Sequence, residues 1–252
     1  MADYPVLDFI VSMGLLWGAA QTGAFFLRRR GKLQEDEWID LSAVLAATLT
    51  LLGLVIGFTF SMATSRYNQR KDCEATEANA IGTEYLRAQL LPESDATRVQ
   101  ELLRRYLHQR ILFYRARDAR QLRQVNASTA RLQTDLWAAI QDRAAAQPTP
   151  VVSLAVSGMN DVLNSQAYSQ ASWWNRIPAG AWQMMIVIAV CCSCLLGYTS
   201  RQAKPSLRRI LILPFVLAIA FSLIADIDAP RGGLILLHPL NLENLARSPK
   251  AE

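Results

Sequence analysis

Residues 41–64, LSAVLAATLTLLGLVIGFTFSMAT, run 24 positions without a charge and then pass directly into the basic segment SRYNQRK. No proline interrupts the chain until Pro92. A bilayer core about 30 Å thick takes about 20 apolar residues per helical crossing, so this stretch is long enough to span one. The absence of a breaker predicts one helical rod from Trp38 to Leu91, about 80 Å at 1.5 Å per residue, that leaves the bilayer and continues into water.

Three more windows share this character: Val6–Leu27, Ile177–Thr199 and Leu207–Ala225. Their charges lie at the edges, Asp8 near the start of the first and Arg208 and Arg209 at the entry of the last. Composition agrees, with 52% hydrophobic and only 19% charged residues, below the roughly 25% of soluble domains. The fold class expected is an all-α membrane protein. Spans at 6–27, 39–64, 177–199 and 207–225 flank a helical extramembrane domain at 65–176, inserted between the second and third. A tail covers 226–252. Backbone groups in hydrocarbon must bond internally, which makes each span a helix. Pro214 should kink the fourth. Trp38, Tyr67, Trp173, Trp174 and Tyr198 stand at window edges, where aromatic rings favour the headgroup zone. The first window is read as a retained span, because its basic run RRRGK follows the apolar stretch instead of preceding it.

The short loops 28–40 and 200–209 hold eight Lys or Arg, against Arg66, Arg70, Lys71, Arg176 and Arg231 on the opposite side. Basic short loops tend to stay cytoplasmic. That bias puts both loops in the cytoplasm and residues 65–176 outside it.

In the inserted domain, Ala78, Ile81, Tyr85 and Ala88 recur at helical spacing. A second helix should restart after Pro92 with Ser94 or Asp95 as cap. A break is expected near VNAST, residues 125–129. A third helix then covers 130–146 and a fourth Val151–Trp174, giving an antiparallel bundle. The arginines from Arg98 to Arg123, Arg110 among them, read as a solvated face with acids such as Glu101 and Asp118. A nucleic-acid reading would need a recognisable binding fold. Asp226 and Asp228 close the fourth span, where the helix dipole disfavours carboxylates. Ion pairs with Arg231, Arg66 or Arg70 would compensate and fix the tail to the second helix. The segment LILLHPL is too short to cross and should lie at the interface or on the bundle.

Familiar chemistry is missing. His108 and His238 are too few for a metal site, and Cys191, Cys192 and Cys194 read as small packing residues of the third span. Cys73 stands apart in the aqueous segment. No nucleotide-binding, hydrolase or metalloprotease motif occurs. The expectation is a protein without catalysis or cofactor, whose partners are the bilayer and, in an oligomer, copies of itself.

The blocks GLVIGFTFSMATSRYNQRK, EANAIGTEYLRAQLLP and DIDAPRGG resemble the bacterial bestrophin-like family across nearly the whole chain. That family is distantly similar to the bestrophins, pentameric anion channels with four membrane helices. The resemblance implies that the second helix lines a pore. A narrow hydrophobic neck with one residue every fourth position would fall on Phe58, Leu54 and Thr50. Thr50 departs from the pattern by being polar. The acidic calcium clasp of bestrophins is reduced here to DID, so calcium gating is not implied. Bestrophins also keep their helical domain in the cytoplasm, opposite to the charge bias. Physically, Gly53 and Gly57 form a small-residue face that admits a close neighbour, and the adjoining Leu54 and Phe58 could gate by dewetting. Two readings follow: an oligomeric anion channel, or a non-conducting scaffold or envelope sensor whose helical domain binds a partner.

Overall fold

The computed structural model describes residues 5–30, 35–199, 207–229 and 231–248. Every regular element among them is a helix: α1 (Pro5–Arg30), α2 (Glu35–Ala88), α3 (Glu93–Arg115), α4 (Ala119–Ala146), α5 (Pro150–Trp174), α6 (Ala179–Thr199), α7 (Leu207–Asp228) and α8 (Leu240–Arg247). Four helical stretches are long and apolar enough to cross a membrane, contained in α1, α2, α5 with α6, and α7. Most of the expected basic loop 200–209 and the turn of the loop 28–40 lie outside the described residues. The chain divides into two compact units, Met1–Arg66 with Arg176–Ile235, and Tyr67–Asn175 with Leu236–Glu252.

In the first unit α1 packs on α6 and α7, and α6 on α7. Apolar surfaces in lipid gain little by meeting one another, so close backbone approach matters. The α1–α6 crossing achieves it. A Cβ added at Gly23 would strike the backbone of Cys194, and one at Gly197 the backbone of Ala20. Ala20, Ala189 and Cys192 are fully buried beside them. Thr22 Oγ1 lies 3.8 Å from Cys194 Sγ. Gly197→Ala is therefore expected to lower the thermal midpoint of the detergent-solubilised protein, because overpacking costs about 1–3 kcal/mol. Gly14 has nothing within 4 Å of a built Cβ, so Gly14→Ala is the matched control and should leave the midpoint unchanged or raised.

α2 contributes Leu52, Thr59 and Ala63 to this unit as a buried stripe at intervals of seven and four. Pro214 lies inside α7, which continues to Asp228, three residues past the expected span. The chain after α7 turns back on itself. Asp226, buried in the last turn, accepts hydrogen bonds from the N–H groups of Leu234 (2.7 Å) and Ile235 (3.0 Å). Gly233 makes that turn with a positive φ of 107°, and a Cβ there would meet Asp226 Oδ1. Asp228, also buried, accepts from the N–H of Ile177 at 3.1 Å. The negative end of the α7 dipole thus keeps two carboxylates because backbone donors face them.

In the second unit the C-terminal part of α2 joins α3, α4, α5 and α8. α2 runs unbroken from Glu35 to Ala88, matching the expected rod to within three residues at each end. Ala78, Ile81, Tyr85 and Ala88 are all buried, as their spacing predicted. α3 starts directly after Pro92 with Ser94 and Asp95 inside its first turn, so neither is the cap. The break expected at 125–129 does not occur. It falls at 116–118, where Asp118 accepts from Gln121 N–H at 2.7 Å and caps α4. Val125 and Thr129, one turn apart, are buried inside α4, so the residues read as a breaker form a packed helical face. Trp173, expected to offer its ring to the headgroup zone, turns inward instead. It is 4% exposed and packs edge-on against Phe113 and Tyr114. Leu237 of LILLHPL joins the bundle core. α8, which had no counterpart in the sequence reading, seats Leu242 there as well.

Candidate functional site

α2 is apolar on both faces across the first unit, and the chain buries only one of them. Of its most hydrophobic 18-residue stretch, 6% is buried, against 22–44% for the other three candidate spans. The uncovered side carries Thr50, Leu54 and Phe58, spaced by four and so in register on one face. Leu54 is 55% exposed and Phe58 67%. Thr50 is exposed too, and its hydroxyl donates to the Ala46 carbonyl at 2.9 Å. Bonding within the helix reduces the polarity this residue presents outward. Gly53 and Gly57 lie alongside, with no atom within 4 Å of a built Cβ. Within the chain, close helix approach is seen at Gly23 and Gly197, two glycines outside the sequence expectation. The face of α2 is open to whatever lies against it.

The carboxylates expected in ion pairs, Asp226 and Asp228, take backbone donors from residues 234, 235 and 177. Arg66 and Arg231 belong to the same unit as these acids, and Arg70 is buried in the second unit.

The second unit has a charged interior that spacing alone did not reveal. Glu74, Glu77 and Glu84 lie on the same buried face of α2 as Ala78, Ile81 and Tyr85. Glu77 pairs with Arg110 of α3, both fully buried. Arg110, read as solvated from the arginine run, is the exception in that run. Its Nη2 reaches the second Glu77 oxygen at 3.3 Å and Ser169 Oγ at 3.5 Å, and its guanidinium stacks 4.3 Å from the Phe113 ring centre. Tyr114 donates to Glu77 at 3.2 Å and shares a 2.6 Å bond with Ser169. Burial works to discharge Arg110, but Glu77, together with Tyr106 and Tyr114, outweighs it and raises the pKa above its ordinary value. Burial, reinforced by Glu77, likewise pushes the Tyr114 phenol up. Glu74 accepts from the Leu242 N–H (2.9 Å) and the Asn241 amide (2.6 Å), which docks α8. The available signal was the stripe 74, 77, 81, 84, 88, in which three acids share one helical face with apolar residues. Among the described residues no group of three or more His, Cys, Asp or Glu side chains could hold a metal ion.

A family described as "Bestrophin-like domain" matches residues 13–239. Comparison with curated proteins gives no match. Among solved structures, the bacterial bestrophin homologue from Klebsiella pneumoniae is similar at a TM-score of 0.68 and 13% identity, over 96% of both chains. A tryptophan-to-alanine variant of the same homologue gives a TM-score of 0.71 at 13% identity, over 96% of this chain and 95% of that one. At such identities the likeness concerns the fold.

Proposed function

On the premise that this chain belongs to the Bestrophin-like domain family, shown by the match over residues 13–239, we propose that it assembles into an oligomeric anion channel. The observation that carries this reading is the uncovered face of α2. Thr50, Leu54 and Phe58 share it, and the open Gly53 and Gly57 beside them admit a second copy of the chain. Placed around an axis, these residues form stacked rings of which Phe58 is the bulkiest and most exposed. An apolar ring narrow enough to shed water blocks ions without any moving plug, and widening it by little admits them. The spans carry no charge at their centres, so selectivity would come from the dewetted neck and from dipoles along α2. The basic loops 28–40 and 200–209 support an inner-membrane placement with both loops in the cytoplasm.

The test is the assembly state of the purified protein, by mass photometry, together with current across planar bilayers. A closed oligomer passing chloride is the expected result. A monomer that passes no current would replace the channel with the scaffold or sensor reading. Labelling of cysteines introduced in residues 65–176 on intact cells checks sidedness. Labelling only after permeabilisation would reverse it.

A further inference from the structure

α2 and α5 meet over Gly158, where a Cβ would run into Glu84 Oε2 and Arg87 Nη1. The glycine makes room for a carboxyl group that is wholly buried, and neither of its oxygens has a hydrogen-bond partner. Two charged groups act on it, Arg87 from one turn further along α2 and Asp161 from α5. Arg87 is engaged with Asp161 instead, Nη1 to Oδ2 at 3.8 Å. An ionised carboxylate without water or a donor is far costlier than a neutral carboxyl in the same place. A groove of about 590 Å³ runs past this point, lined by Asn79, Thr83, Arg87, Gly158, Asp161 and Tyr168, among others. It brings solvent to the far side of Arg87.

We infer that Glu84 is a proton-binding site at the α2–α5 seam, and that losing the proton to solvent draws Arg87 from Asp161 to Glu84. In the protonated state Glu84 is a neutral filler over Gly158, and Arg87 spans to α5 through Asp161. In the deprotonated state the new charge takes Arg87 within α2, and Asp161 loses its partner. The seam then keeps its apolar contacts but loses its ionic tie. The inference does not depend on conduction.

Burial raises the Glu84 carboxyl to about 8, with Arg87 opposing and Asp161 adding to the rise. A folded-state value above the unfolded one gives stability that is complete below the unfolded pKa and lost as pH rises through the folded pKa. Raising the pH from the ordinary carboxylate range through about 8 should therefore lower the thermal midpoint. Glu84→Gln should remove that slope.

Infrared titration of the full chain in detergent reads the site directly. The expected result is a protonated-carboxyl C=O band that persists well above the ordinary carboxylate range, titrates near 8 and is missing in Glu84→Gln. Arg87→Gln should move the midpoint up and Asp161→Asn should move it down, shifts that a merely structural role would not produce. These two variants keep the test open if Glu84→Gln folds poorly. A spectrum with no such band at neutral pH, a band that survives in Glu84→Gln, or a midpoint indifferent to both neighbours would overturn the proposal.

Discussion

Arg110→Met is expected to destabilise the second unit by about 3–5 kcal/mol, the usual cost of stranding one partner of a buried ion pair. Glu77 is fully buried, and its remaining donor would be the Tyr114 hydroxyl at 3.2 Å. A single neutral donor cannot replace the two guanidinium contacts. The loss should appear as a lower denaturation midpoint of the helical signal in detergent. The paired change Glu77→Gln with Arg110→Met removes both charges, and a neutral pair of similar shape is often as stable as the ionic one. Most of the stability should return. Equal losses in the single and double variants would show that shape, and not the stranded charge, sets the cost. Folding is the readout here because both side chains are fully buried in the second unit.

Phe58→Ala is expected to raise the unitary chloride conductance several-fold, since a wider apolar neck rehydrates. The side chain is 67% exposed in the single chain, so its removal leaves little cavity within the protomer and should not cost folding. Leu54→Ala should act in the same direction and less strongly. Phe60 supplies the control. It lies about 200° further around α2, is 40% exposed and is equally aromatic. Phe60→Ala should leave conductance unchanged if the neck is the face of Thr50, Leu54 and Phe58. An equal change at both positions would remove the assignment of that face, and no current from any variant would remove the channel.

The spans were legible because charge is excluded from them. Hydrocarbon imposes that exclusion locally, residue by residue, and it leaves a mark in any window of suitable length. The unbroken α2 was legible for a related reason: no breaker lies between Trp38 and Pro92. Pairings across the chain left no such mark. Arg110 falls on the apolar stripe of α3, four residues from Tyr106 and from Tyr114, but its partner Glu77, 33 positions away, leaves no local mark. Trp173 stands next to a membrane window in sequence, yet Phe113 and Tyr114 take it into the core. The break near VNAST was misplaced because Asn, Ser and Thr favour turns on average. In α4 their helix was already capped at Asp118 and held by the buried Val125 and Thr129. The candidate neck is a different case. The register of Thr50, Leu54 and Phe58 came from a family resemblance, and a single chain shows only that the face is uncovered.

One property of the second unit bears on how the protein is made. Its core includes Leu237 and Leu242, and the Glu74 carboxylate is held by donors from residues 241 and 242. Those residues are translated after α6 and α7. When the stretch 67–175 leaves the ribosome, Glu74 has no Asn241 or Leu242 to bond, and part of the core is absent. The unit gains its full core and both Glu74 donors only when the residues after α7 have been made. A chain arrested before α8 would present a charged and partly apolar surface to proteases. The donors to Glu74 and the seats of Leu237 and Leu242 are therefore the last parts of this unit to be made.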